Sequence, residues 1–346
     1  MLHHPLNDRP PVGHRAPAIP SIGSPLDHMV SVTAQEARLL VTAATQVDAD
    51  PLTEPTIYAE QVRMLGAVAV PRRLADAVRR FDLHGTNTGI LVLRGLDVGA
   101  VPPTPPDNTQ GLAGRCLLAT QAALVASLLG HQISYSAEGF GHLWQDMVPS
   151  REKVLTQTSQ GSGTELEAHT EQAFSPLRPD HVVLACLRGD PGAKTYVFPA
   201  KKLVAHLSPE EVDLLRQPLW CTTIDDSFKE FVPDPDAVRG PLPILSGDRE
   251  DPAMVVDQDL MHGVTPRAQA LLKKVIDIYV GHRYAHVLEP GDVLALDNRA
   301  AMHGRSVFRP RFDGGDRFIA RGFVVRDLHV SAHARQGGRI VGAQHS

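Results

Sequence analysis

Two histidines and one carboxylate are the residues of this sequence best suited to chemistry, and together they indicate an iron centre. His169 and Glu171 stand two residues apart, and His303 follows far downstream. Two imidazoles and one carboxylate can hold Fe(II) on one face, which leaves the other positions open for a bidentate co-substrate and O2. A structural zinc site would require a fourth protein ligand. Glu171 also favours hydroxylation over halogenation, because Ala or Gly at that position would let a halide reach the metal.

The context of this triplet favours a metal site over the alternative of a surface His beside a surface Glu. That alternative stays open, because the chain has 17 histidines and an H-x-E triplet arises easily by chance. Residues 167–174 have the pattern of a strand, in which residues i and i+2 share a face, so His169 and Glu171 would point the same way. His303 comes just after the apolar strand predicted at Val293–Asp297. We therefore expect the three ligands at strand ends inside a rigid β-structure.

Two arginines downstream of His303 could bind carboxylates. Arg317 could form a bidentate pair with the distal carboxylate of 2-oxoglutarate. Arg321 lies four residues on, and in an extended strand it returns to the same face. Two inward-pointing arginines would bind two carboxylates, one from the co-substrate and one from the substrate. The alternative is that both lie at the surface and pair with Asp313 or Asp316.

The elements that would position these residues are short strands. From about residue 131, β-prone runs alternate with turn residues, and helices opened by Ser208-Pro209 and Thr265-Pro266 interrupt them. A capping box at Thr33–Glu36 opens an earlier helix. The pattern predicts a mainly β fold with flanking helices (α+β), either a sandwich or a barrel. We expect a mobile N-terminal arm at 1–30, one oxygenase domain at 31–328 with a lid around 225–240, and a C-terminal tail at 329–346.

The bulk composition excludes several functions. A formal charge of -5 and the lack of a Lys/Arg run argue against nucleic-acid binding. No apolar run is long enough for a membrane span, and the N-terminus does not have the pattern of a signal peptide. Three widely spaced cysteines argue against a disulfide framework or a structural zinc site and suit the cytoplasm. The sequence permits a homo-oligomer but does not require one.

These residues and their spacing resemble the clavaminate synthase-like branch of the Fe(II)/2-oxoglutarate oxygenases. The resemblance covers about residues 89–327 and is strongest at 167–174 and at 288–317. It implies a double-stranded β-helix (jelly roll) that uses Fe(II), 2-oxoglutarate and O2, with no acid or base needed beyond the metal ligands.

The same resemblance assigns roles to individual residues. The 2-oxoglutarate arginine of the branch lies fourteen residues after the second histidine, which is Arg317 here, and a threonine that assists it matches Thr195. The arginine for the substrate carboxylate matches Arg321. Ser159, ten residues before the first metal histidine, matches a serine that lines the substrate pocket.

Within the branch, the chain is most similar to bacterial dioxygenases that hydroxylate free L-lysine at C3. The likeness is carried by residues 135–139, 144–150, 169–190 and 257–261. Arginine 3-hydroxylases are also similar, but they have Gln where this chain has Glu138. The extra negative charge favours lysine as the substrate. An arginine (or cyclic arginine-derived) 3-hydroxylase remains one alternative, and a non-catalytic metal-binding jelly-roll protein is another.

An acidic set of residues supports a cationic substrate. Besides Glu138, the candidate substrate residues are Asp225, Asp226, Asp257 and Asp259. An acidic lining next to Glu171 would be repulsive without a cation, and a free cationic amino acid with its α-ammonium group supplies one. Each aspartate also has a structural alternative: Asp225 and Asp226 could be solvated loop residues, and Asp257 and Asp259 could cap the turn at 263–265.

Overall fold

A computed structural model of the protein describes residues 28–232 and 234–345. The predicted capping box is present, because Thr33 accepts from the backbone of Glu36 while the Glu36 carboxylate accepts from the backbone of Thr33. Ser208 and Thr265 likewise cap the helices that they were predicted to open. The α-helices of the described residues are Ala34–Ala44 (α1), Pro55–Ala69 (α2), Arg72–His84 (α3), Leu117–Ala126 (α4), Ala200–Val204 (α5), Pro209–Leu215 (α6), Asp226–Lys229 (α7) and Pro266–His282 (α8).

The strands form two large sheets and two small ones. The major sheet has the order β1-β2-β14-β6-β16-β3-β17, with β4 also paired to β16, and the minor sheet has the order β13-β7-β15-β5. The strands are Met29–Ser31 (β1), Ile90–Arg94 (β2), His131–Tyr135 (β3), Trp144–Met147 (β4), Leu166–His169 (β5), His181–Arg188 (β6), Lys194–Pro199 (β7), Trp220–Thr222 (β8), Arg239–Leu242 (β9), Leu245–Gly247 (β10), Pro252–Met254 (β11), Met261–Gly263 (β12), Tyr284–Val287 (β13), Val293–Asp297 (β14), Ala301–Arg305 (β15), Phe318–Val325 (β16) and Ile340–Val341 (β17).

Alternation along the strands of the major sheet separates two cores. On β14, Val293 and Ala295 pack with helices α1–α4, whereas Leu294 and Leu296 face the minor sheet. Side chains of a strand point to opposite faces in turn, so a central strand that is buried on both sides becomes apolar throughout. The predicted fold class is confirmed: the protein is a mainly β double-stranded β-helix (jelly roll) with flanking helices.

The minor sheet is covered on its outer face by α5, α6 and α8. On β15, Met302 packs outward against this helical layer, and Ala301 points inward to the core between the sheets. By the same alternation His303 and Arg305 point inward, and both line the cavity between the sheets. The sandwich therefore places polar side chains of the minor sheet opposite those of the major sheet.

The two ends of the chain differ from the predicted organisation. Residues 1–27 of the predicted arm lie outside the described residues, but His28 is buried and Met29–Ser31 pairs in parallel with β2. The predicted tail is packed rather than loose as far as residue 345, because Ile340–Val341 pairs in parallel with β3 and buries Val341. Strands of two or three residues are too short to show a period, so the sequence did not reveal them.

No helix among residues 28–232 and 234–345 is long and apolar enough to cross a membrane.

Candidate active site

The predicted site residues converge on one cavity of about 590 Å³ between the two sheets. Residues from β6, β14 and β16 line it on the major-sheet side, and residues from β5, β7 and β15 line it on the other. Each of the twelve residues selected from the sequence lines this cavity: Glu138, Ser159, His169, Glu171, Thr195, Asp225, Asp226, Asp257, Asp259, His303, Arg317 and Arg321.

The three predicted metal ligands form a compact cluster. The ligand atoms of His169, Glu171 and His303 all lie within 4.8 Å of one another. His169 and His303 are direct cross-strand partners of β5 and β15, so the sheet itself sets the distance between them. His303 belongs to a strand of the minor sheet, and not to the end of β14 as the sequence suggested. One face with N, N and O ligands, and no fourth protein ligand among the residues that the structure describes, suits Fe(II).

Glu171 reaches the site by a different route from the one predicted. The strand ends at His169, and Glu171 opens a turn, so the shared strand face is not what aligns them. Instead, the side chain of the buried Asn298 holds the backbone of Glu171. The Glu171 N–H donates to Asn298 Oδ1 at 2.6 Å, and Asn298 Nδ2 donates to the Glu171 carbonyl at 3.1 Å. This bidentate clamp, from the turn that follows β14, positions the Glu171 carboxylate.

Two of the three donor groups, His303 and Glu171, have charge states that suit a metal site. His169 Nδ1 lies 2.8 Å from the Glu167 carbonyl, which orients Nε2 toward the cluster. Burial, together with the neighbouring His169, lowers the pKa of His303 to about 4, so its imidazole is neutral. Burial raises the pKa of Glu171, but the Arg321 guanidinium and the two imidazoles outweigh burial and hold the pKa at about 2. The neutral His303 imidazole and the anionic Glu171 carboxylate therefore fit a divalent cation.

One end of the cavity is cationic. Arg317 is only 4 % exposed, and within the described residues no carboxylate forms an ion pair with it. The alternative pairing with Asp313 is not realised, because Asp313 pairs with Arg311. Burial lowers the pKa of Arg317, and the nearby Cys186 and Asp190 only partly oppose this effect. Thr195 is buried in β7 and lines the same cavity. A buried arginine without an anion indicates a binding place for an anionic ligand.

In the same cavity, Arg321 connects the metal ligand Glu171 to the predicted substrate residue Glu138. Its guanidinium donates to Glu171 Oε1, to Glu138 Oε1 and twice to Gln145 Oε1. Four of the five N–H donors of a guanidinium are thus engaged, and one N–H of Nη1 has no described partner. Burial raises the pKa of Glu138 to about 7 against the lowering effect of Arg321.

The four aspartates line the cavity, and their structural roles differ in part from those that the sequence suggested. Asp225 caps α7 by accepting from Ser227, and Asp226 is largely exposed and pairs with Lys229. Asp257 accepts from the backbone of residues 259 and 260, so it caps its own turn rather than the turn at 263–265. Burial raises the pKa of Asp257 to about 6. Asp259 is exposed.

Three polar residues that sequence reasoning missed also build the site. Asn298 clamps Glu171, Gln172 donates to Glu138, and Arg305 donates to the backbone carbonyls of Ser159, Gly161 and Thr164. Arg305 thereby fastens the wall segment 159–164 to β15. Of these three residues, only Arg305 could have been identified from the sequence. It lies two positions after His303 on β15 and therefore shares its strand face.

Comparison with known proteins agrees with this geometry. The sequence profile described as "Taurine catabolism dioxygenase TauD, TfdA family" matches residues 51–322. The L-lysine 3-hydroxylase of Catenulispora acidiphila is 47% identical over 321 residues, which are 91% of this chain and 89% of that protein.

Solved structures with the same fold contain the expected ligands. A crystal structure of asparagine oxygenase with Fe(II), 2S,3S-3-hydroxyasparagine and succinate has a TM-score of 0.84 and 33% identity, over 91% of this chain and 99% of that one. The non-heme iron oxygenase OrfP with Fe and alpha-ketoglutaric acid has a TM-score of 0.78 and 30% identity, over 91% of this chain and 100% of that one. A mutant of OrfP was solved with (3S)-hydroxy-L-Arg.

Proposed function

Because the chain belongs to the TauD, TfdA family and is an Fe(II)/2-oxoglutarate-dependent oxygenase, we propose that it hydroxylates free L-lysine at C3. The reaction consumes 2-oxoglutarate and O2 and releases succinate and CO2. One observation carries the enzyme class: the His169–Glu171–His303 cluster shares a cavity with the buried Arg317, which has no carboxylate partner in the described part of the chain. The alternative of a non-catalytic metal-binding protein has no support, since the relatives are hydroxylases and oxygenases.

We assign the co-substrate to the cationic end of the cavity. His169, Glu171 and His303 hold Fe(II), and Arg317 and Thr195 hold the far carboxylate of 2-oxoglutarate. Bound Fe(II) and 2-oxoglutarate supply the oxidising chemistry that hydroxylates an unactivated carbon. A buried guanidinium without a carboxylate partner is suited to this carboxylate, because a charge-assisted pair would compensate its burial.

The amino acid occupies the acidic part of the cavity. Arg321 offers its remaining N–H to the α-carboxylate, and the adjacent Glu138 attracts the α-ammonium. Asp225, Asp226, Asp257 and Asp259 at the mouth favour the side-chain ammonium, and Ser159 completes the wall. Residues 225–240 serve as a lid that excludes water when the substrate is bound. The protein's contribution to the reaction is placement, since the carbon nearest the metal is the one hydroxylated.

L-Arginine is the second candidate substrate, and the similarity to OrfP, solved with hydroxyarginine, favours it. A planar guanidinium needs a paired carboxylate fork, whereas an ammonium is satisfied by separate acceptors. Asp225 and Asp226 do not form a free fork here, because Asp225 caps α7 and Asp226 pairs with Lys229. This arrangement, the 47% identity to a lysine 3-hydroxylase and Glu138 together favour lysine.

A substrate panel tests this proposal. The protein is incubated in air with Fe(II), 2-oxoglutarate and either L-lysine, L-arginine, L-ornithine or L-asparagine. The expected result is a lysine product heavier by one oxygen atom, hydroxylated at C3 by NMR, with one succinate formed for each product. The His169→Ala variant should form neither. Preferential turnover of arginine, or hydroxylation of lysine at C4, would overturn the assignment.

A further inference from the structure

Gln172 has an unusual backbone conformation at the centre of the site. It directly follows the metal ligand Glu171, and its φ of 53° lies in the left-handed region that residues other than glycine rarely adopt. Only 6 % of the residue is exposed, and it lines the cavity. Such a conformation persists only where the surroundings enforce it, and it is commonly found at ligand sites.

The amide nitrogen of Gln172 fixes one oxygen of Glu138. Gln172 Nε2 donates to Glu138 Oε2 at 2.8 Å, while Arg321 donates to Glu138 Oε1. Two different donors therefore hold the two oxygens of one carboxylate. The carboxylate is an acceptor, so the amide must present its nitrogen to Glu138 and direct its oxygen elsewhere.

The amide oxygen of Gln172 is an unused acceptor. Within the described part of the chain, Gln172 Oε1 is buried and has no hydrogen-bond partner. A buried acceptor without a partner is unfavourable, and such groups in native proteins usually have a ligand or a bound water as partner. The oxygen belongs to the amide that contacts Glu138, so a cation held by Glu138 is within its reach.

We propose that Gln172 is a substrate-binding residue: its Nε2 orients Glu138, and its Oε1 accepts a hydrogen bond from the α-ammonium group of the amino-acid substrate. The inference rests on the proposed function, because it takes the α-carboxylate to be bound by Arg321. The α-ammonium is one carbon away from that carboxylate, which places it beside Glu138 and Gln172. The side-chain ammonium is at the far end of the molecule.

Two ligands that differ only in the α-ammonium test the proposal. L-Lysine and 6-aminohexanoate are titrated into the protein with Fe(II) and 2-oxoglutarate under anaerobic conditions, and Kd is measured by calorimetry. Gln172→Met keeps the length of the side chain and removes both polar atoms. We expect it to weaken lysine binding by about tenfold or more and 6-aminohexanoate binding by less than about twofold. The control Gln217→Met, at an exposed position outside the cavity, should change neither Kd.

Equal weakening for both ligands, or no change for lysine, would overturn the proposal. Gln172→Asn serves as a second variant, because asparagine tolerates the left-handed backbone but is too short to reach both partners. It should show the same selective loss while Fe(II) affinity stays unchanged, which separates substrate contact from distortion of Glu171.

Failure of the proposed function is visible separately. If the wild-type protein binds L-arginine in preference to lysine, the lysine assignment is wrong. The comparison is then made with L-arginine and 5-guanidinopentanoate, and the same two outcomes decide the role of Gln172.

Discussion

Arg321 donates a hydrogen bond from Nη1 to Oε1 of Glu171 at 3.1 Å, so the arginine of the substrate region directly contacts a metal ligand. Both side chains are buried, and the same guanidinium also contacts Glu138. The charge of Arg321 helps to keep Glu171 ionised, because burial alone would raise its pKa. The metal end and the substrate end of the cavity are therefore parts of one charged network.

We predict that Arg321→Met harms substrate binding far more than metal binding. The variant removes the partner of the substrate carboxylate but leaves all three metal ligands. Lysine Kd should rise on the order of 100-fold, whereas Fe(II) Kd should change less than about tenfold. Anaerobic titrations of each ligand measure the two constants. Comparable losses in both would contradict the role given to Arg321, and Arg321→Lys, which keeps the charge, should fall between.

Asn298→Ala should weaken the metal site without touching a ligand. The clamp on the Glu171 backbone would be lost, and partners that orient ligands typically contribute about 10–100-fold to metal affinity. Fe(II) affinity is measured by competition with a chelator. The neighbouring Arg299→Ala, which removes a surface contact to Asp180, should leave it unchanged. Normal Fe(II) affinity in Asn298→Ala would show that the turn positions Glu171 unaided.

Arg317→Met should affect 2-oxoglutarate selectively. Removing one partner of a buried charge pair commonly costs about 2–5 kcal/mol, so the KM for 2-oxoglutarate should rise on the order of 100-fold. The lysine Kd, measured in parallel, should change little. Arg309→Met, at an exposed position, is the matched control. A KM within about twofold of the wild-type value would exclude Arg317 as the co-substrate arginine.

Arg305→Lys should lower stability. The guanidinium reaches the carbonyls of Ser159, Gly161 and Thr164 together, and an ammonium cannot span all three. Buried carbonyls left without donors should reduce the free energy of unfolding by about 1–3 kcal/mol, as measured in urea. Arg309→Lys, at the surface, should change it by less than about 0.5 kcal/mol. An unchanged midpoint for Arg305→Lys would mean that segment 159–164 does not depend on this contact.

Substrate affinity should depend on pH through Glu138. Its pKa is about 7 because burial raises it, so the group is mostly an anion at pH 8 and mostly neutral at pH 6. The neutral form no longer attracts the α-ammonium, which stays protonated over this range. The KM for lysine should therefore rise as pH falls through about 7, and Glu138→Gln should flatten the profile between pH 6 and 8. A wild-type KM that is constant across this interval would refute the assignment.

Much of the fold and the site could be predicted from the sequence, because both depend on local patterns and on residue type. The predicted apolar strand matches the observed β14 residue for residue at Val293–Asp297. Arg317 and Arg321 share the inward face, as their spacing predicted. The donor types of His169, Glu171 and His303 indicated an iron site before any geometry was known.

Only the tertiary structure decided how these groups are held. Glu171 was assigned to a strand, but its position depends on Asn298, which is far away in sequence and lies in the turn directly after β14. The carbonyl partners of Arg305 and, among the described residues, the unpaired Oε1 of Gln172 likewise depend on how distant segments pack together. Periodicity reports which face of an element a side chain occupies, whereas a hydrogen bond between distant segments depends on sheet register and turn geometry. Composition and spacing thus determined the chemistry of the site, and long-range packing determined its precise arrangement and the polar groups left available for a substrate.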